Sequence, residues 1–84
     1  MDHSTKKLDQ QIAQAIQKVD IGGVYYHYKN SEKFYVVESV GFLEATEEVC
    51  VVYRALYDKG IVWVRTLENF IEKIGDTSRF VKVS

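Results

Sequence analysis

The stretch "VVYRALYDKGIVWVR", Val51 to Arg65, decides how the chain folds. Two runs of β-branched and aromatic residues flank Asp58-Lys59-Gly60, which is the pattern of an antiparallel hairpin. A three-residue loop, with Asp58 and Lys59 in a type I turn and Gly60 left-handed, would join them. That loop sets Tyr57 opposite Ile61, Ala55 opposite Trp63 and Tyr53 opposite Arg65, and puts Val51 on the same face. Val52, Arg54, Leu56, Val62 and Val64 make up the other face. On this reading the second face is core with one arginine in it, and the first is an amphipathic aromatic surface.

Upstream of the hairpin, two-fold periodicity extends back to Val24 and predicts strands over 24–29 and 34–41, ahead of a third strand over 48–57. "KNSEK", Lys29 to Lys33, is the expected first turn, and "GFLEATEE" the second connection, with Gly41 marking a bulge or bend. Further upstream the period becomes helical. Leu8, Ile12, Ala15, Ile16 and Val19 recur at steps of three and four, Ser4 or Thr5 can cap the helix, and Gly22-Gly23 ends it. The stripe is narrow, so the helix lies on its own domain, on a partner or on a second copy, or is a mobile arm. Downstream, "TLENFIEKIG" places Leu67, Phe70, Ile71 and Ile74 on a short helix with Thr66 as N-cap and Gly75 as stop. A last strand over 79–83 carries Phe80 and Val83.

Five short strands with one helical turn before the last predict a mainly β fold, an SH3-like five-stranded barrel. Residues 1–22 form the added N-terminal amphipathic helix and linker, and residues 23–84 the barrel domain. The chain has 84 residues, enough for one small core. With Cys50 as its one cysteine it has no internal disulfide to support that core, so aromatic packing carries weight.

Eleven basic residues against twelve acidic ones leave a net charge of −1. That balance disfavours nucleic acid as partner while leaving a local basic patch open. The N-terminus has no uninterrupted apolar run, so neither a signal peptide nor a membrane span is expected, and the reading is a soluble cytoplasmic protein with a reduced thiol. No ligand spacing for a metal and no phosphate-cradling glycine loop occurs, so no cofactor is predicted.

"GVYYHYK", "YVV", "VVYRALY", "WVR" and "RF" stand in an order that resembles a small bacterial family, domain of unknown function 1653 (DUF1653). The resemblance runs from about Gly23 to Phe80. It is carried by Gly23, Tyr25, His27, Tyr28, Lys29, Tyr35, Tyr53, Arg54, Leu56, Tyr57, Trp63, Arg65, Phe70, Arg79 and Phe80. Asn30 stands where the family has glycine, Thr66 where it has proline, and Leu43-Glu44-Ala45-Thr46 where it often has His-Ser-Glu-Thr. If that polar segment serves a site in relatives, the site is altered here. The resemblance implies a family and no function.

Several residues allow both a structural and a functional reading. His27 is either a hydrogen-bonding strand residue or a site residue near physiological pH. Cys50 in "EVCVVY" reads as inert and buried. Arg54 and Arg65 are staples to Glu38, Glu48, Glu68 or Glu72, or else ligand clamps that also stack on rings. Most of the aromatics fill the core, and Tyr57, Trp63 and Arg65 remain as a candidate groove.

The candidate ligand-binding set is therefore His27, Tyr53, Arg54, Tyr57, Trp63 and Arg65. It suits a non-enzymatic module that binds a peptide, a nucleotide or another planar anionic ligand. The alternatives are a small enzyme or enzyme-accessory domain using His27 with an arginine clamp, and an assembly element that works through the N-terminal helix.

Overall fold

The computed structural model describes residues 5–84. His3 and the Ser4 cap lie outside the described residues. The predicted helix, α1, spans Thr5–Lys18, and its apolar stripe packs on the sheet, with Ala15 and Val19 fully buried. The chain leaves it through Asp20, whose N–H donates to the Tyr25 hydroxyl, and Gly22, whose N–H donates to the Val37 carbonyl at a φ of 86°. At Gly23 a Cβ would lie 3.0 Å from the Asp20 carbonyl oxygen and 3.2 Å from the Tyr25 ring, so a larger residue would have to displace both by a few tenths of an ångström.

The strands are β1 (Val24–His27), β2 (Asn30–Leu43), β3 (Glu48–Ala55) and β4 (Val62–Thr66). They are followed by α2 (Leu67–Phe70), a two-residue pair β5 (Lys73–Ile74) and β6 (Thr77–Ser78), and β7 (Phe80–Lys82). Five of the strands form one antiparallel sheet in the order β4-β3-β2-β1-β7. The fold is thus mainly β with an N-terminal helix, as predicted. Its edges are β4 and β7, and no ladder among the described residues joins them into the predicted barrel.

Four local features differ from the sequence reading. The first turn is tighter than "KNSEK": His27 pairs with Asn30, and the Lys29 N–H bonds the His27 ring at Nδ1. The bulge falls between Val37 and Ser39, at Glu38, while Gly41 pairs regularly with Cys50. Thr66 caps α2 as expected, accepting from the Asn69 N–H, but the helix ends after one turn at Phe70. Gly75, at a φ of 67°, instead turns the β5–β6 hairpin.

The fourth difference concerns the decisive hairpin. Its loop is longer than three residues because Asp58 as well as Gly60 is left-handed, with φ of 50° and 68°, and the Ala55 N–H bonds the Ile61 carbonyl. Tyr53 therefore lies opposite Trp63 and Val51 opposite Arg65. A shift of two positions preserves which side chains share a face, since the strand period is two.

What inverts is which face is core. Val51, Tyr53 and Ala55 are buried, whereas Leu56, Val62 and Val64 on the other side are exposed. The cause is tertiary. Both helices and the start of β7 bring Ala15, Val19, Leu67, Phe70 and Phe80 to the aromatic side. There Phe70 and Phe80 stack with ring centroids 4.2 Å apart, and Tyr53 meets both edge-on at 5.5 and 5.2 Å. Ring-to-ring packing of this kind adds about 0.5–1.5 kcal/mol per pair beyond area burial, which suits a core with no disulfide.

Candidate functional site

At the β4 edge the aromatic core opens into a depression of about 180 Å³ lined by His27, Tyr35, Tyr53, Trp63, Arg65 and Phe80. Strand parity accounts for the assembly. Arg65 and Trp63 lie two residues apart on β4, Tyr53 is opposite Trp63, and His27 is opposite Phe80 on the far side of the sheet. Trp63 shares the core face but sits on the edge strand, so its side chain remains about half exposed, at 49%.

Arg65 is the polar centre. Its Nε donates to the Tyr53 hydroxyl at 2.9 Å, its Nη1 bonds Asn69 Oδ1, and its guanidinium carbon lies 5.4 Å from the Phe80 ring centroid. These contacts orient the cation and leave Nη2 without a hydrogen bond among the described residues. Asn69 is the hub behind it. Its N–H caps on Thr66, its side chain receives Arg65, and its carbonyl accepts from Arg79 Nε at 3.0 Å. Arg79 also pairs with Glu72 at 2.6 Å.

His27 packs edge-on against Phe80, with centroids 5.2 Å apart. Its Nδ1 accepts from the Lys29 backbone at 3.2 Å, so the neutral ring carries its proton on Nε2. Burial first, and then the charges of Arg65, Arg79 and Lys29, hold its pKa below the ordinary 6.5. The unfolded chain therefore takes up this proton first, and His27 withdraws stability as pH falls through about 6.5, until the pH passes below its folded value. Urea midpoints measured from pH 7.5 to pH 5 should fall more steeply for the parent than for a His27→Gln variant.

Tyr57 stands beside the depression. Its hydroxyl is 2.7 Å from that of Tyr35, and the Lys33 ammonium lies 4.9 Å from its ring centroid. Burial, followed by the Tyr57 bond and the neighbouring phenols, pushes the Tyr35 hydroxyl up to about 12, so it stays a neutral donor or acceptor.

Of the six predicted residues, then, His27, Tyr53, Trp63 and Arg65 converge and Tyr57 adjoins them. Arg54 does not. It lies on the outer face, held by Glu38 through two bonds of 3.0 Å and by the Gly60 carbonyl at 3.3 Å, which joins the β2 bulge to the hairpin loop. The sequence reading missed Tyr35, Phe80 and Asn69 as site residues. Asn69 was signalled only by its place three residues after the Thr66 cap.

A larger depression of about 390 Å³, lined by Thr66, Glu68, Asn69 and Glu72, has no aromatic wall. Cys50 is buried, with its thiol directed to the Glu48 carbonyl. Among the described residues no group of three or more potential metal ligands gathers, and no helix is long and apolar enough to cross a membrane.

The residues of this site fall within 23–82, the span matched by the model of the family described as protein of unknown function (DUF1653). The chain belongs to the DUF1653 family. No curated protein and no solved structure matches it. Within this DUF1653 protein the matched span contains every lining residue of the depression, while α1, which precedes it, contributes none.

Proposed function

We propose that this DUF1653 protein is a binding module that seats the anionic, planar end of a larger ligand against Arg65, with His27 as a second donor and Trp63 as a stacking wall. The observation that supports this most is the arginine itself. Two bonds and a ring fix its guanidinium in place, yet one nitrogen remains available beside an exposed indole. A prepositioned guanidinium nitrogen of this kind suits a carboxylate or phosphate oxygen through a charge-assisted hydrogen bond.

Size narrows the choice. Pockets that enclose whole small molecules span roughly 300–1000 Å³. At about 180 Å³ this one has room for an end group: an acidic side chain or carboxyl terminus of an extended peptide, or one edge of a nucleotide. An open five-stranded antiparallel sheet that holds a ligand end on its aromatic face agrees with the peptide form of this reading.

The test is a ¹⁵N-resolved NMR titration with acidic tetrapeptides, their C-terminally amidated counterparts, nucleoside monophosphates, short RNA and simple sugars. Shifts confined to the Trp63 indole, the Arg65 Nε–H and His27 are expected, and they should strengthen between pH 7.5 and pH 5.5 as anion binding draws a proton onto His27. A silent spectrum with every ligand, at both pH values, would remove the proposal and leave Arg65 as a structural staple.

A further inference from the structure

Phe80 is the floor of the depression beside Trp63, and three donors stand around it. Phe70 covers one face of the Phe80 ring at 4.2 Å with the planes 5° apart, so the Arg65 guanidinium, 5.4 Å from the same centroid, takes the opposite face. The His27 and Tyr35 rings meet Phe80 at 90° and 83°, with centroids 5.2 and 6.0 Å away. All three groups line the one cavity.

Each of them has a polar hydrogen to offer. Arg65 Nη2 has no hydrogen bond among the described residues, and neutral His27 carries its proton on Nε2 because Nδ1 accepts from the Lys29 backbone. The Tyr35 and Tyr57 hydroxyls, 2.7 Å apart, hold two protons between them and use one in their mutual bond. When Tyr57 donates to Tyr35, the Tyr35 O–H is left for the cavity that its side chain lines.

The opposite kind of group is missing. No carboxylate lines the cavity, although acidic residues outnumber basic ones in the chain by twelve to eleven. The charges of Arg65, Arg79 and Lys29 all act on His27, and on the other flank the Lys33 ammonium lies 4.9 Å from the Tyr57 centroid. Glu72 offsets Arg79, whereas Arg65, Lys29 and Lys33 have no carboxylate partner among the described residues. A second negative charge is therefore matched as well as the first.

Resting on the clamp reading above, we infer that the anion seated at Arg65 is a phosphate monoester carried on a flat ring, its three terminal oxygens shared among Arg65, His27 and Tyr35 and its ring laid on Trp63. A carboxylate has two oxygens and a single charge, and would leave one of the three donors unused. A phosphate monoester presents three strong acceptor oxygens and a charge of about −1.5 to −2 at pH 7, so each donor finds an oxygen. The cavity of about 180 Å³ admits the phosphate and the nearer edge of the ring, while the half-exposed indole continues the wall beyond the mouth. Aryl phosphates and nucleoside monophosphates share this chemistry.

Calorimetric titration of the full chain with phenyl phosphate, adenosine monophosphate, benzoate and inorganic phosphate tests it. Trp63 is the one tryptophan in the chain, so its fluorescence reports ring stacking directly. Phenyl phosphate or adenosine monophosphate should bind at least about tenfold more tightly than benzoate and quench Trp63, and the tighter of the two names the source. Tyr35→Phe keeps the ring and removes the third donor, so it should weaken the phosphate ester about tenfold and leave benzoate unchanged. Tyr57→Phe breaks the same hydroxyl pair but spares the Tyr35 O–H, and should cost less.

Benzoate binding as tightly as the phosphate esters would overturn the inference and leave the clamp standing. Inorganic phosphate binding as tightly as both esters would overturn it too, since the ring would then contribute nothing. Equal losses in the two tyrosine variants would reduce the hydroxyl pair to a structural role and do the same. A chain that ignores all four probes but answers acidic peptides overturns this inference alone, whereas silence toward the peptides as well removes the reading on which it rests.

Discussion

Phe80→Ala should leave the protein largely unfolded at room temperature. Phe80 stacks on Phe70 at 4.2 Å and meets Tyr53, Tyr35 and His27 edge-on, so its removal opens the middle of the aromatic cluster. Deleting a buried phenylalanine ring costs about 3–5 kcal/mol through lost transfer energy and the cavity left behind. A domain of this length has a total stability on the order of 5 kcal/mol, and no disulfide lowers the entropy of the unfolded chain. The two quantities are of the same size, so the folded population collapses.

Urea or thermal unfolding followed by near-ultraviolet circular dichroism measures the effect, because loss of asymmetric ring packing is what that signal reports. Phe80→Leu, which refills most of the space, should retain a cooperative transition at a lower midpoint. A fully cooperative Phe80→Ala variant with a near-native midpoint would mean that the ring stack is not the principal source of stability.

The same ring explains what was and was not legible in the sequence. Period and capping are local, and they were readable: the α1 stripe and the Thr66 cap form, although α1 ends at Lys18, ahead of the Gly22-Gly23 pair. Parity was readable as well, since Tyr53, Trp63 and Arg65 do share a face. Which face would be covered was not. The hairpin alternates between a side with Val52, Leu56, Val62 and Val64 and a side with Val51, Tyr53, Tyr57 and Trp63, and aliphatic hydrophobicity alone favours burying the first. The decision came from segments distant in sequence, Ala15, Val19, Phe70 and Phe80, all of which land on the tyrosine side.

The hairpin register escaped for a different reason. Asp58 adopts a left-handed conformation that aspartate tolerates but that a sequence assigns more readily to the glycine beside it. The two arginines separate on the same physical grounds. Arg54 is spaced to suit a site but belongs to the outer face, where the Glu38 bulge supplies a bidentate partner. Asn69 was nearly invisible because its role lies in joining two arginines that come from β4 and from the segment just before β7.

Arg65 should prove to be staple and clamp together, and three variants separate the roles. Arg65→Ala removes the donor to the buried Tyr53 hydroxyl and the partner of Asn69, which costs about 1–3 kcal/mol where a buried polar group loses its bond. Tyr53→Phe removes the acceptor while keeping the ring, so it should cost less. A double-mutant cycle between the two should return a coupling of roughly 0.5–3 kcal/mol, the range for residues in one hydrogen-bond network.

Arg65→Lys is the discriminating change. A lysine keeps the charge but cannot bond two acceptors in a fork, lie over Phe80 and still present a nitrogen outward. If the guanidinium is a ligand clamp, Arg65→Lys should weaken binding of the responsive anion about tenfold or more while shifting the urea midpoint less than Arg65→Ala does. If instead the lysine variant loses as much stability as the alanine variant and binds with unchanged affinity, then all of the guanidinium's contacts are directed inward, and the depression beside Trp63 is only the rim of the core.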